Sequence, residues 1–151
     1  MVIEFLDTSI QGFKVVLERD GKKEIRKSSA TMTQRGMVVW ITGLSGAGKS
    51  TLAVAVAERL RGRGETTVVL DGDELRTVFG ATTSSCENHG REARLVLAWR
   101  YARLCQVIAS QGVTVVIATI SLFKEVHEWN RYNLPRYFEV FLNVPISELR
   151  Q

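Results

Sequence analysis

Residues 43–51 of this 151-residue chain read Gly43-Leu44-Ser45-Gly46-Ala47-Gly48-Lys49-Ser50-Thr51, between an apolar run and a segment with helical apolar spacing. Few folds accommodate that junction. Gly43, Gly46 and Gly48 let the backbone bend until successive N–H groups point into one hollow. The start of the following helix adds the positive end of its dipole. G-x-x-x-x-G-K-[ST] between a strand and a helix is the spacing of a P-loop. There the lysine, Lys49, reaches the β- and γ-phosphates of a nucleotide, and the next hydroxyl, Ser50, ligates Mg²⁺. ATP and Mg²⁺ are therefore the expected cofactors. A glycine-rich turn with an incidental lysine would require neither flank.

The flanks also set the fold class. Met37–Thr42 is a continuous apolar run of the kind buried on both faces of a sheet. Lys49–Arg61 is a predicted helix, ended by Gly62 and Gly64. Thr66–Leu70, Val113–Ala118 and Tyr137–Leu142 are predicted strands. Arg91–Gln111 is a long amphipathic helix with Leu95, Ala98, Ala102, Cys105 and Ile108 along its apolar face. Phe123–Asn130 predicts a shorter helix, residues 80–90 a polar loop, and Ser147 a cap for a further helix. Strand and helix alternate, so the expected class is α/β: a three-layer P-loop NTPase fold with a mainly parallel sheet and right-handed crossovers. Residues 1–36 have a different pattern. Ile3–Leu6 and Phe13–Glu18 are strand-like, Arg19-Asp20-Gly21-Lys22 signals a tight turn, and Glu24–Lys27 reads as the return strand of a hairpin. Residues 27–31 read as a linker. The expected division is an N-terminal extension, 1–36, followed by a nucleotide-binding domain, 37–151.

Composition removes other classes. With 45% hydrophobic and 24% charged residues the chain can build a core, which excludes disorder as its main state. Twelve glycines, two prolines and two cysteines exclude a collagen-like chain and a disulfide scaffold. The longest apolar runs, Met37–Ile41 and Val113–Ile120, fall well short of the ~20 residues of a membrane-spanning helix. Met1–Asp7 carries Glu4 and Asp7 and lacks a signal pattern, so a cytoplasmic protein without a membrane partner is expected. The net charge of +4 suits phosphate-bearing substrates. No basic run with interleaved aromatics accompanies it, so nucleic acid is not an expected partner. Cys86 and Cys105 have no zinc or redox spacing; Cys105 is expected in the core and Cys86 in a loop. His89 and His127 lack partners at metal or triad spacing and read as surface residues. Trp40 reads as packing. Trp99 and Tyr101 read as core or boundary residues, either of which could reach a pocket. Phe123 could edge the pocket, and Lys124 reads as solvated.

A P-loop specifies nucleotide binding but not a reaction. No Asn-Lys-x-Asp element is present to read guanine. Val113–Ala118 runs into Thr119-Ile120-Ser121 and offers no carboxylate of the kind motor and transporter ATPases use. Acid stands instead after the second strand of the domain, in Asp71-Gly72-Asp73-Glu74-Leu75-Arg76, at the sheet edge where open α/β folds bind ligands. That arrangement looks like a small-molecule kinase. One carboxylate could orient an acceptor hydroxyl. If Asp73 opens a short helix, Arg76 shares its face and could hold an anionic group of the same substrate. The structural alternative makes Asp71 a turn residue, Asp73 a helix N-cap, and Arg76 a solvent-facing partner.

Gly-Leu-Ser-Gly-Ala-Gly-Lys-Ser-Thr followed by Leu-Asp-Gly-Asp-x-x-Arg resembles the signature of adenylyl-sulfate kinases. The resemblance runs from about Gly36 to Gln151 and includes Gln111-Gly112, Ile120-Ser121 and Phe138-Glu139-Val140-Phe141-Leu142-Asn143-Val144-Pro145. It implies a kinase of sulfate assimilation that moves the γ-phosphoryl of ATP to the ribose 3′-hydroxyl of adenylyl sulfate. It further implies that residues 43–51 hold ATP and Mg²⁺, with Ser50 as the metal ligand. Asp73 would stand near the acceptor hydroxyl beside Asp71, with Arg76 and Ile120 as substrate contacts. Arg94 and Arg100 would grip the phosphosulfate end. Ser121 matches a serine that some family descriptions mark as phosphorylated, and reads more simply as a supporting hydroxyl.

Three departures bear on these implications. The family's Glu-Asn after the first of those arginines is Val96-Leu97 here. Its Phe-Ile-Ser-Pro becomes Thr119-Ile120-Ser121-Leu122, which removes an aromatic stack on the acceptor base worth ~1–3 kcal/mol. A different acceptor, such as a cytidine derivative with a modified diphosphate, is the alternative. The chain also ends at Leu149-Arg150-Gln151, before the family's lid, further strand and final helix, so a non-catalytic ATP-binding module is a second alternative. A small nucleotide is the expected partner, with a homodimer left open.

Overall fold

The computed structural model describes residues 3–7, 13–19, 22–27, 35–81 and 90–144. The chain divides into two compact units, Met1–Gln34 and Arg35–Gln151. In the first, β1 (Ile3–Asp7), β2 (Phe13–Arg19) and β3 (Lys22–Lys27) form an antiparallel sheet in that order. The expected hairpin is β2–β3, with Arg19 opposite Lys22. The first strand joins the same sheet, pairing Ile3 with Leu17 and Asp7 with Phe13. The linker from residue 28, the Asp20-Gly21 turn, the loop holding Cys86, Asn88 and His89, and the Ser147 cap lie outside the described residues.

The second unit is built on β4 (Val38–Gly43), whose six residues are all buried. A strand apolar on successive residues needs cover on both faces. Val38 and Trp40 point to one face and Val39 and Ile41 to the other, and each set enters a separate core. The sheet order is β5 (Thr67–Asp71), β6 (Thr114–Thr119), β4, β7 (Tyr137–Leu142), with every pair parallel. Helix α1 (Lys49–Arg61) covers one face. Its buried contacts are Ala53 and Ala57, small enough to let the helix approach Ile41, Val116 and Ala118. Helices α3 (Arg91–Ser110) and α4 (Lys124–Asn133) cover the other face, over Trp40, Val115 and Ile117. This is the expected three-layer arrangement. Among the described residues no helix is long and apolar enough to cross a membrane.

Two local readings shift. The buried stripe of α3 runs through Ala98, Tyr101, Ala102, Cys105 and Ala109, while Leu95 and Ile108 only flank it. Ala109 sits where the incoming chain passes, its carbonyl accepting from the Gly36 N–H at 2.8 Å. Of the two glycines after α1, Gly62 stays right-handed and Gly64 (φ 85°) makes the left-handed exit. Cys105 is fully buried, and burial pushes its thiol up to about 12, as befits a packing residue.

Candidate active site

Parallel strands deliver their C-terminal ends to one edge, and there a cleft of about 170 Å³ opens. One wall is the loop between β4 and α1, through Ser45, Gly46, Gly48, Lys49, Ser50 and Thr51. The opposite wall is Asp71 with Gly72, Asp73 and Arg76 of helix α2 (Gly72–Val78). Ala118, Thr119 and Ile120, at the end of β6, complete the lining.

The loop takes its shape from glycines. Gly46 (φ 78°) and Gly48 (φ 81°) occupy the left-handed region, which strains any residue with a Cβ. Gly48 precedes α1, and no side chain caps that helix. Its leading N–H groups thus remain available to an anion. Gly43 is selected by space: a Cβ there would lie 2.7 Å from the carbonyl oxygen of Leu142 on β7. Gly43, Leu44 and Ala47 shape the loop without lining the cleft, and the Leu44 carbonyl accepts from Lys49 Nζ at 2.7 Å. Burial lowers the Lys49 pKa, and Asp73 and Asp71 only partly oppose that. The result is a cation in need of a stronger counter-charge than its neighbours supply.

The two aspartates divide their work. Asp71 ends β5 in extended conformation and caps α2, its Oδ1 accepting from the Asp73 N–H at 2.8 Å. The cap is therefore Asp71 and not Asp73, because the chain turns into the helix one residue past the strand. The other oxygen, Oδ2, accepts from Ser50 Oγ at 2.6 Å. Burial alone would raise the Asp71 carboxyl. The Ser50 hydroxyl, the Asp73 and Glu74 amides and Lys49 outweigh it and hold it below the usual 3.8. A carboxyl lowered on folding stabilises the fold above its unfolded pKa, and that contribution is lost as pH falls through the lower native value. Asp71→Asn keeps a capping oxygen. It should flatten the loss of stability below about pH 4, read as urea midpoints at successive pH values.

Ser50 and Asp71 suit a hard divalent cation, since Mg²⁺ takes oxygen ligands and uses one or two carboxylates plus substrate phosphates and water. Among the described residues no cluster of three or more His, Cys, Asp or Glu forms a self-contained metal cage. Ser50 and Asp71 are the residues here that could contribute oxygen ligands to an ion held with a nucleotide.

Asp73 projects into the cleft with its side chain 84% exposed and Arg76 Nη1 at 3.3 Å. Such an exposed pair is weak, so both groups are free to exchange partners with a substrate. Ile120 lines the cleft and is 42% exposed. Ser121 is buried away from the lining, and its Oγ has no hydrogen-bond partner. Arg94 and Arg100 are exposed on α3 and do not line this cleft; the Arg100 guanidinium lies 5.8 Å from the Phe79 ring centroid. Lys124 is solvated beside Glu128, and Phe123 packs beneath Arg91.

Three residues support the site in roles their sequence positions did not show. Thr42, just before the loop, is buried and accepts from the Ser121 N–H at 3.3 Å while donating to the Ser121 carbonyl at 3.0 Å. A hydroxyl ending an apolar strand must find such partners, and that was the available signal. The Tyr101 hydroxyl donates to the Gly72 carbonyl at 3.1 Å and braces α2 from α3. His127 is not a surface residue: it is buried, with Nε2 2.7 Å from the Ser121 carbonyl. Trp40 is fully buried packing and Trp99 sits edge-on to Trp129.

Residues 35–151 match the adenylylsulphate kinase family. The chain is 33% identical over 120 residues to the cytidine diphosphoramidate kinase of Campylobacter jejuni, covering 80% of this chain and 68% of that protein. It is 37% identical over 121 residues to an adenylyl-sulfate kinase of Gloeothece citriformis, covering 80% and 66%. The APS kinase of Mycobacterium tuberculosis, solved in complex with AMPPNP and APS, superposes with a TM-score of 0.66 at 32% identity, covering 76% of this chain and 66% of that one. The chain thus spans about two thirds of the length of these relatives. With the loop, the paired aspartates and the parallel sheet already in place, the match over residues 35–151 has one meaning: the chain belongs to the adenylylsulphate kinase family of P-loop phosphotransferases.

Proposed function

We propose that this protein transfers the γ-phosphoryl group of ATP to the ribose 3′-hydroxyl of a nucleotide with an anionic tail, adenylyl sulfate being the first candidate. The observation that carries the reading is the cleft, which sets Lys49 and Ser50 on one wall and Asp73 with Arg76 on the other. Donor and acceptor sites thereby face each other, as in-line transfer requires.

The loop amides and Lys49 bind the donor phosphates and neutralise charge as the transition state spreads it over the phosphoryl oxygens. Ser50 and Asp71 would hold Mg²⁺, which when bound would supply neutralisation of the donor's phosphate charge. Asp73, exposed and uncommitted to the cap, accepts a hydrogen bond from the acceptor hydroxyl and takes its proton as the new P–O bond forms. Arg76 releases Asp73 and pairs with an acceptor anion. Arg94 and Arg100 lie on α3 outside the cleft, so a role for them requires an acceptor tail that reaches that helix. Ser121 acts through its backbone, and Ile120 presents an aliphatic wall to the acceptor.

The exit of β6 favours a second reading. Thr119, buried, and Leu122, exposed, stand where the resemblance leads one to expect an aromatic and a proline. The Campylobacter relative is named for a cytidine diphosphoramidate acceptor. A pyrimidine nucleotide with a modified diphosphate is the acceptor on this reading. Coupled ADP release with adenylyl sulfate, cytidine diphosphoramidate or no acceptor separates the cases. Acceptor-dependent ADP supports the kinase, and the higher kcat/KM names the acceptor. ADP release that ignores both acceptors would refute it.

A further inference from the structure

The strand that floors the cleft, β6, ends at Thr119, and the chain then reaches α4 through Ile120, Ser121, Leu122 and Phe123. This short turn carries the Ile120 wall, yet its anchoring points inward, to a buried polar cluster that phosphate binding does not explain. The Ser121 carbonyl accepts from Thr42 Oγ1 at 3.0 Å and lies 2.7 Å from His127 Nε2. A carbonyl can only accept, so Nε2 is the donor in this contact. The outer edge of the ring faces β7: Nδ1 lies 3.4 Å from the Tyr137 hydroxyl and 3.3 Å from Glu139 Oε1. Glu139 is itself held by Arg131 at 2.8 Å. Trp40 packs edge-on against the same ring.

An apolar side chain would fill this space without the desolvation of so many polar groups. What the imidazole adds is a fixed direction for one carbonyl, and through it a fixed place for the residue before it. We propose that His127 is a positioning residue of the acceptor side: together with Thr42 it clamps the Ser121 carbonyl and so fixes the Ile120 wall. The clamp joins β4, immediately before the phosphate loop, to the exit of β6 and to the edge strand β7. It rests on the kinase reading only for its consequence in catalysis, since the clamp itself is a property of the free protein.

Two variants of the full chain test it. His127→Phe keeps a ring but no donor, whereas His127→Gln keeps an N–H at similar reach. Amide hydrogen exchange of residues 120–123 should quicken about tenfold in H127F and stay near the native rate in H127Q, with the β4–β6 ladder unchanged in both. With whichever of adenylyl sulfate or cytidine diphosphoramidate is turned over, acceptor KM should rise about tenfold in H127F, ATP KM should hold, and H127Q should recover most of the loss. Unaltered exchange in H127F would overturn the proposal, as would exchange or acceptor KM equally disturbed in H127Q. Failure of the native protein to use either acceptor counts against the kinase reading alone, and the exchange data then decide the clamp.

Discussion

Asp73→Asn is expected to lower kcat by on the order of 10²–10⁴, the range for loss of a positioned general base, while leaving ATP affinity near the native value. The separation follows from placement. Asp73 does not cap α2, since Asp71 does, and its only ion-pair partner among the described residues is the exposed Arg76. Asparagine keeps the size and one acceptor oxygen but cannot take the proton. Folding should therefore be untouched and acceptor KM should change little, because the lost interaction grows only as the hydroxyl loses its proton. Steady-state kinetics with each substrate varied in turn make the check. A D73N protein with native kcat would place the base elsewhere.

Lys49→Met should abolish nucleotide-dependent stabilisation and reduce turnover by about 10²–10³, as for removal of one key transition-state donor. At a ligand concentration of 100 Kd the native protein gains about 2.7 kcal/mol, and several degrees in Tm, from MgATP. The sign for the free protein is opposite. Burial lowers the Lys49 pKa from 10.5, so its charged form is disfavoured in the fold below the native pKa, and that cost fades as pH rises through it toward 10.5. K49M without ligand should therefore unfold at or slightly above the native temperature near neutral pH. Thermal melts with and without MgATP read both effects. A ligand shift that survives in K49M would show that the loop amides alone carry the binding.

The two aspartates illustrate what could and could not be read from residue order. The P-loop was legible because its constraints are local: glycine spacing, a strand before, a helix after. The four-stranded sheet was legible for a related reason, since strands apolar at successive positions need both faces covered. That Asp71 both caps α2 and accepts from Ser50, while Asp73 stays exposed in the cleft, was not. The division depends on where the chain leaves β5, since an exit two residues later would make Asp73 the cap. Arg94 and Arg100 show a second limit. Six residues apart on a helix, they point about 120° apart, and neither lines the cleft. His127 shows a third. Its partners on β7 and at the exit of β6 come together only through tertiary packing, and a lone histidine in a polar helix gives no sign of burial.

The most direct measurement of the central claim follows the phosphorus. ATP labelled in its γ-phosphoryl group is incubated with Mg²⁺, the protein and each acceptor, and the product is mapped by mass spectrometry and ³¹P NMR. The account predicts one labelled phosphate per ADP formed, attached to the 3′-oxygen of the acceptor ribose, and on the order of a hundredth as much or less in D73N over the same interval. Label released as free phosphate, retained on the protein, or attached to another oxygen of the acceptor would contradict it.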